Sequence, residues 1–401
     1  MELVGNSIIY LMMAFVAIGA VAAIRDADTG MGREFKEGLH AIGQIFIPVA
    51  GIMAAIPYLS AFVESAAGPL FGAIGADPAI AATSLIAVDM GGYQLAQATA
   101  NSTGGWIMAT VVGYLAGATI IFTIPVGLAV LDRQDHRFLA LGVMSGILTV
   151  PIGVLISTSI LLASGMTVRG EISADAPSDA ALSGLDIASM LLNLVPLAAF
   201  VVVLALALRF WSAAMIRLFI WFGRFLDATL KIVLALSIIE HFTGLFSAVL
   251  GAWGFDPIIA DADDQYRALE VAGNIGIMLA GAFPMVYVLR KGLTRPLGAL
   301  GRRIGMSPEG TAGLLAASAN VLALFRLIGH MPPKDKVLCI AYAVCAAFLV
   351  GDHLAFTANF QPNLILPLLV GKLAGGVLAI LLAHLIALPA IRTAAPGPAA
   401  G

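Results

Sequence analysis

The chain has 401 residues, of which 60% are hydrophobic and only 11% are charged, and its mean hydropathy is +0.99. Ordinary soluble domains carry about 25% charged residues, so a water-soluble fold of this size is excluded. The net charge of −3 provides no cationic surface for a polyanion, which also excludes nucleic acid as a partner. Apolar runs of about 18 residues or more can cross a bilayer and must be helical there. The composition therefore predicts an all-α integral membrane protein in contact with the lipid bilayer.

Eleven apolar segments follow one another along the chain. They cover residues 7–24, 38–63, 79–98, 105–131, 138–164, 185–208, 228–250, 268–289, 310–329, 335–358 and 363–390. The two cysteines, Cys339 and Cys345, are six residues apart, which is not a same-face helical spacing and argues against a disulfide. No cluster of histidine and cysteine has the spacing of metal ligands, so the sequence predicts neither a metal site nor a cofactor.

The polar stretches between the segments differ in charge, and this difference predicts an orientation. Basic residues follow the first, fourth, sixth, eighth and ninth segments, whereas residues 171–186 and 256–264 are acidic. The positive-inside rule places the basic loops in the cytoplasm. Eleven plain spans violate this rule at the loop that carries Arg133, but re-entrant hairpins at 79–98 and 310–329 restore it. We predict nine crossings plus two hairpins, with eleven spans as the alternative, in a bacterial inner membrane with the N-terminus outside and the C-terminus in the cytoplasm.

An internal repeat appears in the positions of the glycines and polar residues. Four sets of positions match at nearly constant offset: Gly43 and Gly51 with Gly273 and Gly281, Asp89 with Asn320, Leu115-x-Gly117-x4-Phe122-Thr123 with Leu349-x-Gly351-x4-Phe356-Thr357, and Gly142-x3-Gly146 with Gly371-x3-Gly375. With the hairpins, the two copies run in opposite directions, as in many secondary transporters, whose site lies at the repeat interface. The single membrane domain 1–401 is therefore divided into a first repeat (37–165), connecting helices (166–267), a second repeat (268–391) and a disordered tail (392–401).

Asp89 is the first candidate binding residue, because a carboxylate inside an apolar segment faces a polar cavity or a partner. It is followed by Met90, Gly91, Gly92 and Tyr93, and the two glycines can break a helix and expose backbone dipoles to a ligand. The alternative interpretation is a helix cap beside two packing glycines.

A second candidate group interrupts the tenth segment at Gly351, Asp352 and His353. A carboxylate beside an imidazole can bind a cation or relay a proton, and the alternative is an Asp–His pair that stabilises a kink. Asn320, followed by Val321, is the neutral polar residue at the matching hairpin tip.

Two carboxylates and three aromatic residues complete the candidate binding residues. Glu37 and Glu270 stand near the starts of equivalent helices, where the helix dipole alone favours a carboxylate. Tyr93, Phe122 and Phe356 flank the predicted breaks and can offer ring faces to a cation, although core or lipid-facing aromatic residues are the commoner case.

Other charged residues have structural explanations. Asp227 and Lys231 have i,i+4 spacing and are predicted to pair on one helix face. Lys372 is predicted to neutralise a buried carboxylate.

Eight short motifs occur in a fixed order along the chain. They are Glu37-Gly38, Gly75-Ala76-Asp77-Pro78, Asp89-Met90-Gly91-Gly92-Tyr93, Phe122-Thr123-Ile124-Pro125-Val126, Leu139-Ala140-Leu141-Gly142-Val143, Phe283-Pro284-Met285-Val286, Gly351-Asp352-His353-Leu354 and Val370-Gly371-Lys372-Leu373. With them the chain resembles the ethanolamine permease family of the bacterial ethanolamine-utilisation system (EutH-like), from about residue 5 to residue 390. After Asn320 the chain departs from the family pattern, since Val321 and Ala323 replace an asparagine and a proline. The exact substrate is therefore left open.

The resemblance implies a transporter, not an enzyme, that imports ethanolamine by alternating access. Ethanolamine is a small ammonium alcohol; Asp89 and Asp352 would supply the negative charge, and Asn320 and His353 would bind the hydroxyl group. Alternatives are another small amine, alcohol or nucleoside-like solute, proton or sodium coupling, a channel, and a structural role. An intramembrane aspartyl protease is disfavoured because Leu349 replaces the first glycine of its Gly-x-Gly-Asp motif. A homo-oligomer is possible.

Overall fold

The computed structural model describes residues 2–393, which fold almost entirely into α-helices. The first part of the chain contains α1 (Glu2–Arg25), α2 (Gly30–Ala54), α3 (Ile56–Ala66), α4 (Gly68–Ala73), α5 (Ala79–Leu85), α6 (Gly92–Thr99), α7 (Thr103–Val112), α8 (Ile124–Val130), α9 (His136–Ile147) and α10 (Val150–Ser164). The second part contains α11 (Ile187–Phe210), α12 (Ser212–Thr243), α13 (Leu245–Leu250), α14 (Ala268–Arg303), α15 (Pro308–Ala319), α16 (Val321–Ile328), α17 (Pro333–Ala346), α18 (Asp352–Phe360), α19 (Ile365–Ile386) and α20 (Leu388–Thr393).

Short irregular stretches connect some of these helices. A π-helix, Gly113–Thr123, joins α7 to α8. Three 3₁₀ turns also occur, at Val88–Met90, Arg133–Asp135 and Pro362–Leu364. In the part of the chain that the structure describes, the β structure is limited to one isolated bridge between Val168 and Ala180. Of the predicted disordered tail 392–401, only positions 392 and 393 are described, at the end of α20; the rest lies outside the described residues.

Within residues 2–393, seven helices are long and apolar enough to cross a membrane. They are Leu3–Arg25, Gly30–Ala54, Thr103–Val130, Arg133–Ser164, Ile187–Phe210, Ala268–Arg303 and Pro362–Ile386. The helical class and the multi-pass membrane character of the prediction are therefore confirmed. Two further predicted crossings do not meet the same criterion, because α12 carries several charges and α17 is separated from α18 by a break.

The boundaries of α12 differ from the predicted segment 228–250. This helix already begins at Ser212, in a stretch where Arg217 and Arg224 alternate with apolar residues. Arginine is a good helix former, so a basic residue ends an apolar segment without ending the helix. For the same reason α14 continues to Arg303, beyond the predicted end at residue 289.

The chain folds back on itself between residues 77 and 101, a segment that we call hairpin 1. The carboxylate of Asp77 accepts hydrogen bonds from the N–H of Ala79 at the start of α5 (3.0 Å) and from that of Asn101 after α6 (2.9 Å). The side chain of Asn193 accepts the N–H of Asp77 itself, at 2.6 Å. The two ends of the hairpin therefore meet at one buried carboxylate, with the turn at the far end.

A second fold-back covers residues 307–332 and is called hairpin 2. Asn320 interrupts it with an extended backbone, and its Oδ1 atom accepts the N–H of Leu322 to cap α16. A Cβ atom added to Gly313 in α15 would lie 3.2 Å from Leu324 in α16, which is possible only if the two helices lie side by side. The N–H of Ser307 donates to Asp335 (2.7 Å), so this hairpin also begins and ends at one place.

The long helices α2 and α14 pack against each other in antiparallel orientation. A side chain at Gly38 would overlap the backbone of Leu279 and Ala280, and one at Gly276 would overlap Ile42. Small residues at such contacts let helix backbones approach closely in a membrane, where apolar burial between helices gives little driving force. Pro48 of α2 and Phe283 of α14 border a cavity beside this contact.

Candidate functional site

A cavity of about 240 Å³ lies between α2, the tips of both hairpins, the π-helix and the break before α18. Seven of the sequence-predicted residues line it: Glu37, Asp89, Met90, Phe122, Asn320, Asp352 and His353. The other seven predicted residues lie outside its lining: Gly91, Gly92, Tyr93, Val321, Gly351, Phe356 and Glu270. The structure thus brings most of the polar candidates from separate parts of the chain to one cavity. Most of the glycine and aromatic candidates do not line this cavity.

Asp89 is placed by the turn at the tip of hairpin 1. The turn Val88–Met90 ends at Gly91, whose φ of +90° belongs to the left-handed region that favours glycine. A Cβ at Gly91 would also lie 2.7 Å from Ile52 on α2. The carboxylate of Asp89 is 20% exposed and lies 3.9 Å from Nε2 of His353, too far for a hydrogen bond.

Asp352 and His353 are placed by the break between α17 and α18. Residues 347–351 leave the helix, and Phe348 adopts a φ of +59°, which is rare for a bulky side chain. Phe348 itself lines the cavity and contacts the ring of His353, with 5.1 Å between the centroids. The carboxylate of Asp352 forms no hydrogen bond or ion pair with another side chain of the described residues, and it stands at the N-terminus of α18, where the helix dipole favours negative charge.

Two glycines let the hairpin tips approach the broken helices. A side chain at Gly117 in the π-helix would overlap the carbonyl oxygen of Ile86 in hairpin 1. A side chain at Gly351 would overlap the carbonyl oxygen of Ala319 in hairpin 2. Gly351 therefore faces hairpin 2, and the absence of a side chain permits this close packing.

Tyr93 and Phe356 belong to an aromatic cluster outside the cavity. Their ring centroids are 5.5 Å apart, and Tyr93 also contacts Trp106 at 4.8 Å. The hydroxyl of Tyr93 accepts a hydrogen bond from Nε2 of Gln361 (2.8 Å). Both residues are fully buried, and neither offers a ring face to a ligand in the cavity.

Glu270 and Val321 also make contacts away from the cavity. The carboxylate of Glu270 accepts the N–H of Ala260 (3.0 Å) at the acidic loop before α14. Val321 is fully buried at the start of α16. Gly92 packs against the carbonyl of Ala87 within the turn of hairpin 1.

Lys372 forms a contact that the sequence did not indicate. Its Nζ atom donates to the carbonyl oxygen of Tyr114 and lies next to Nδ1 of His353, both at 2.9 Å. The expected partner, a carboxylate, is not in hydrogen-bond reach. Lys372 is therefore behind the cavity wall, where it contacts the imidazole that lines the cavity.

The cavity opens along α2 and is closed at the far end of α18. Glu37 and His40, both exposed, line its mouth. At the other end, Gln361 donates to Tyr93 and to the carbonyl oxygen of Arg169 (2.9 Å), and the Arg169 guanidinium donates to the carbonyl of Asn359. Glu37 and His40 are thus exposed where the cavity meets α2, whereas a buried hydrogen-bond network lies at the end of α18.

The chemistry of the cavity suits a small cation. Three carboxylates, two imidazoles and two side-chain amides line a volume bordered by Phe122 and Phe348; they belong to Glu37, Asp89, Asp352, His40, His353, Gln44 and Asn320. The amide nitrogen of Asn320 forms no hydrogen bond within the described residues. A carboxylate out of water needs a positive partner, and aromatic faces attract cations. Together with the helices, this cavity defines a multi-pass membrane protein with a small polar cavity in its interior.

The chain belongs to the EutH family: the family described as "Ethanolamine utilisation protein, EutH" matches residues 4–386. A relative from Listeria monocytogenes named "Probable ethanolamine permease EutH" is 35% identical over 378 residues, which cover 94% of this chain and 92% of the relative. A protein of the same name from Escherichia coli is 33% identical, with 94% of each chain covered. "Uncharacterized protein YxeR" from Bacillus subtilis is 32% identical, with 94% of this chain and 93% of the relative covered. No solved structure shows significant similarity to the chain. The resemblance inferred from the eight motifs is therefore confirmed.

Proposed function

We propose that this protein imports ethanolamine across the bacterial cytoplasmic membrane by binding its ammonium group between Asp89 and Asp352. The observation that carries the proposal is that these two carboxylates line one cavity and that neither has a hydrogen-bonded cationic partner among the described residues. The names of the relatives support a permease. An ammonium ion between the two carboxylates supplies positive charge where the described residues provide no hydrogen-bonded counter-charge.

The hydroxyl group of the substrate is assigned to the neutral polar groups of the cavity. Asn320 and His353 lie at the hairpin 2 tip and at the start of α18, and both line the same volume. A buried polar group costs free energy when it lacks a partner, so a ligand with both an ammonium and a hydroxyl group satisfies the site better than a simple amine.

The fold-back of both hairpins supports the proposed arrangement of nine crossings and two re-entrant hairpins. Backbone that is not helical is tolerated at membrane depth only where protein buries it or where it lines a polar cavity, and both tips border the cavity. The equivalent contacts of Gly117 with Ile86 and of Gly351 with Ala319 follow the offset of the sequence repeat. The antiparallel packing of α2 and α14, the first helices of the two repeats, supports an inverted repeat.

The closed network around Gln361 and the exposed mouth at Glu37 support alternating access. With the basic loops inside, Glu37 follows Arg33 and Lys36 on the cytoplasmic side. The structure then corresponds to an inward-facing state, in which Arg169 and Gln361 hold the outer side closed. Release of that network and closure at α2 would expose the same carboxylates to the outside.

Uptake of radiolabelled ethanolamine into proteoliposomes tests the proposed function. We expect saturable uptake that empty liposomes lack, and stronger competition by unlabelled ethanolamine than by other small amines, alcohols or nucleosides. Measurement with and without a proton or sodium gradient separates facilitated diffusion from coupling. Uptake that does not saturate would indicate a channel, and preference for another solute would assign the alternative substrate.

The orientation is tested with single cysteines at two charged loop positions. A membrane-impermeant maleimide added to intact spheroplasts should label Asp179→Cys, whereas Arg295→Cys should react only after permeabilisation. The unmodified protein is a matched control, because Cys339 and Cys345 are both buried and free. Labelling of Arg295→Cys in intact spheroplasts would reverse the proposed orientation.

A further inference from the structure

Lys372 is an amine without contact to the cavity, and the proposed binding of a cation does not explain it. It lies on α19, its side chain is 1% exposed, and its Nζ atom lies 2.9 Å from both the Tyr114 carbonyl oxygen and Nδ1 of His353. A buried lysine is costly unless its donors are occupied. The two contacts give it two defined acceptors, one of which is a ring that lines the cavity.

The contact with Lys372 determines which nitrogen of His353 carries the proton. When Lys372 is charged, its ammonium group has donors and no acceptor, so Nδ1 of His353 accepts, and a neutral imidazole then carries its hydrogen on Nε2. In the described structure Nε2 is buried and has no hydrogen-bond partner. The nearest carboxylate oxygen, on Asp89, is 3.9 Å away. This nitrogen is therefore an unpartnered donor at the cavity wall.

We propose that Lys372 is a positioning residue that holds His353 as an Nε2–H donor, and that this donor recognises the hydroxyl oxygen of the substrate. The inference rests on the proposed function, because it assigns one of the two polar groups of an amino alcohol to a particular atom. A hydroxyl oxygen next to Nε2 would lie close to Asp89, the carboxylate assigned to the ammonium group. The short separation of the two functional groups in a two-carbon amino alcohol matches this closeness.

The tautomer of His353 can be observed directly, without any substrate. We expect ¹⁵N spectra of histidine-labelled protein to show a protonated Nε2 and an unprotonated Nδ1, with the signals assigned by their loss in His353→Gln. In Lys372→Met the ring should exchange between both tautomers. A proton on Nδ1 in the unmodified protein would overturn the proposal, whatever the variants do.

Selectivity provides a second test that a merely structural role would not change. Propylamine replaces the hydroxyl group of ethanolamine with a methyl group, and loss of one hydrogen bond in the site should weaken its competition about tenfold in the unmodified protein. Lys372→Met should reduce this ratio below about threefold, whereas Lys372→Arg, which keeps a cationic donor, should retain it. In the His353→Gln background, Lys372→Met should change the ratio no further, since it acts through the ring.

The outcomes separate the two proposals. An unmodified protein that does not transport ethanolamine contradicts the proposed function and leaves the tautomer measurement to decide the role of Lys372. Ethanolamine transport with an unchanged ratio in a folded Lys372→Met variant contradicts the role of Lys372 alone. If Lys372→Met does not fold, two measurements still test the role of Lys372. They are the ¹⁵N spectrum of the unmodified protein and the selectivity of Lys372→Arg for ethanolamine over propylamine.

Discussion

Replacing Asp352 with asparagine is expected to lower ethanolamine uptake at least about 30-fold, while the protein still inserts and folds. Asparagine keeps the shape of the side chain but removes the charge that would pair with an ammonium group. Loss of one partner from a buried charge pair costs about 2–5 kcal/mol of binding free energy, and 2 kcal/mol corresponds to about 30-fold. Initial uptake rates in proteoliposomes with equal amounts of reconstituted protein measure the effect.

A matched control for this variant is Asp179→Asn, the same substitution in an exposed loop. It should transport ethanolamine like the unmodified protein. Size-exclusion profiles and melting temperatures in detergent show whether both variants are folded. Full uptake by a folded Asp352→Asn variant would remove Asp352 from the binding site.

Replacing Lys336 with methionine is expected to destabilise the protein by about 3–5 kcal/mol, because it leaves Asp135 buried without its counter-charge. The two side chains form an ion pair at 2.6 Å and are only 8% and 2% exposed. The pair connects the turn before α9 to the start of α17, so its loss should loosen the contact between these helices. The free energy of unfolding in detergent measures the change.

Two further variants separate charge burial from helix packing. In Asp135→Leu combined with Lys336→Met, most of the stability should return, since apolar residues often replace a buried ion pair without loss. Lys231→Met should change stability by at most about 1 kcal/mol, because its ion pair with Asp227 is exposed although the distance is similarly short, 2.7 Å. Equal losses in Lys336→Met and Lys231→Met would show that burial of the charge is not the cause.

The convergence of the polar site residues could be predicted because each is costly in an apolar segment. Asp89, Asn320 and Asp352 needed polar surroundings, and the repeat suggested that their surroundings are shared. Asp227 and Lys231 were predicted to pair, and they do. These inferences depend on local spacing and on the cost of burial, which the sequence displays directly.

Other features depend on contacts that a single sequence does not display. Lys372 faces an imidazole rather than a carboxylate, and Asp135 pairs with Lys336 across 201 positions of sequence. The rings of Tyr93 and Phe356 were expected near a ligand because they adjoin the breaks, but they turn towards each other. Adjacency along the chain does not fix the direction of a side chain when the helix is interrupted.

Some lining residues had no polar signal at all. Phe348 borders the cavity because of a left-handed backbone at the end of α17, and Ala118 borders it because the helix there has π geometry. Both are apolar residues in apolar segments. Only the shape of the backbone distinguishes them from their neighbours, most of which are buried against protein.

The glycines at positions 117 and 351 have a consequence for how the molecule moves. Because the carbonyl oxygens of Ile86 and Ala319 occupy the space where side chains would be, neither hairpin can slide along its broken helix without a collision. Each hairpin is thereby held in register with its broken helix. We therefore expect each hairpin and its broken helix to move together in the proposed transport cycle.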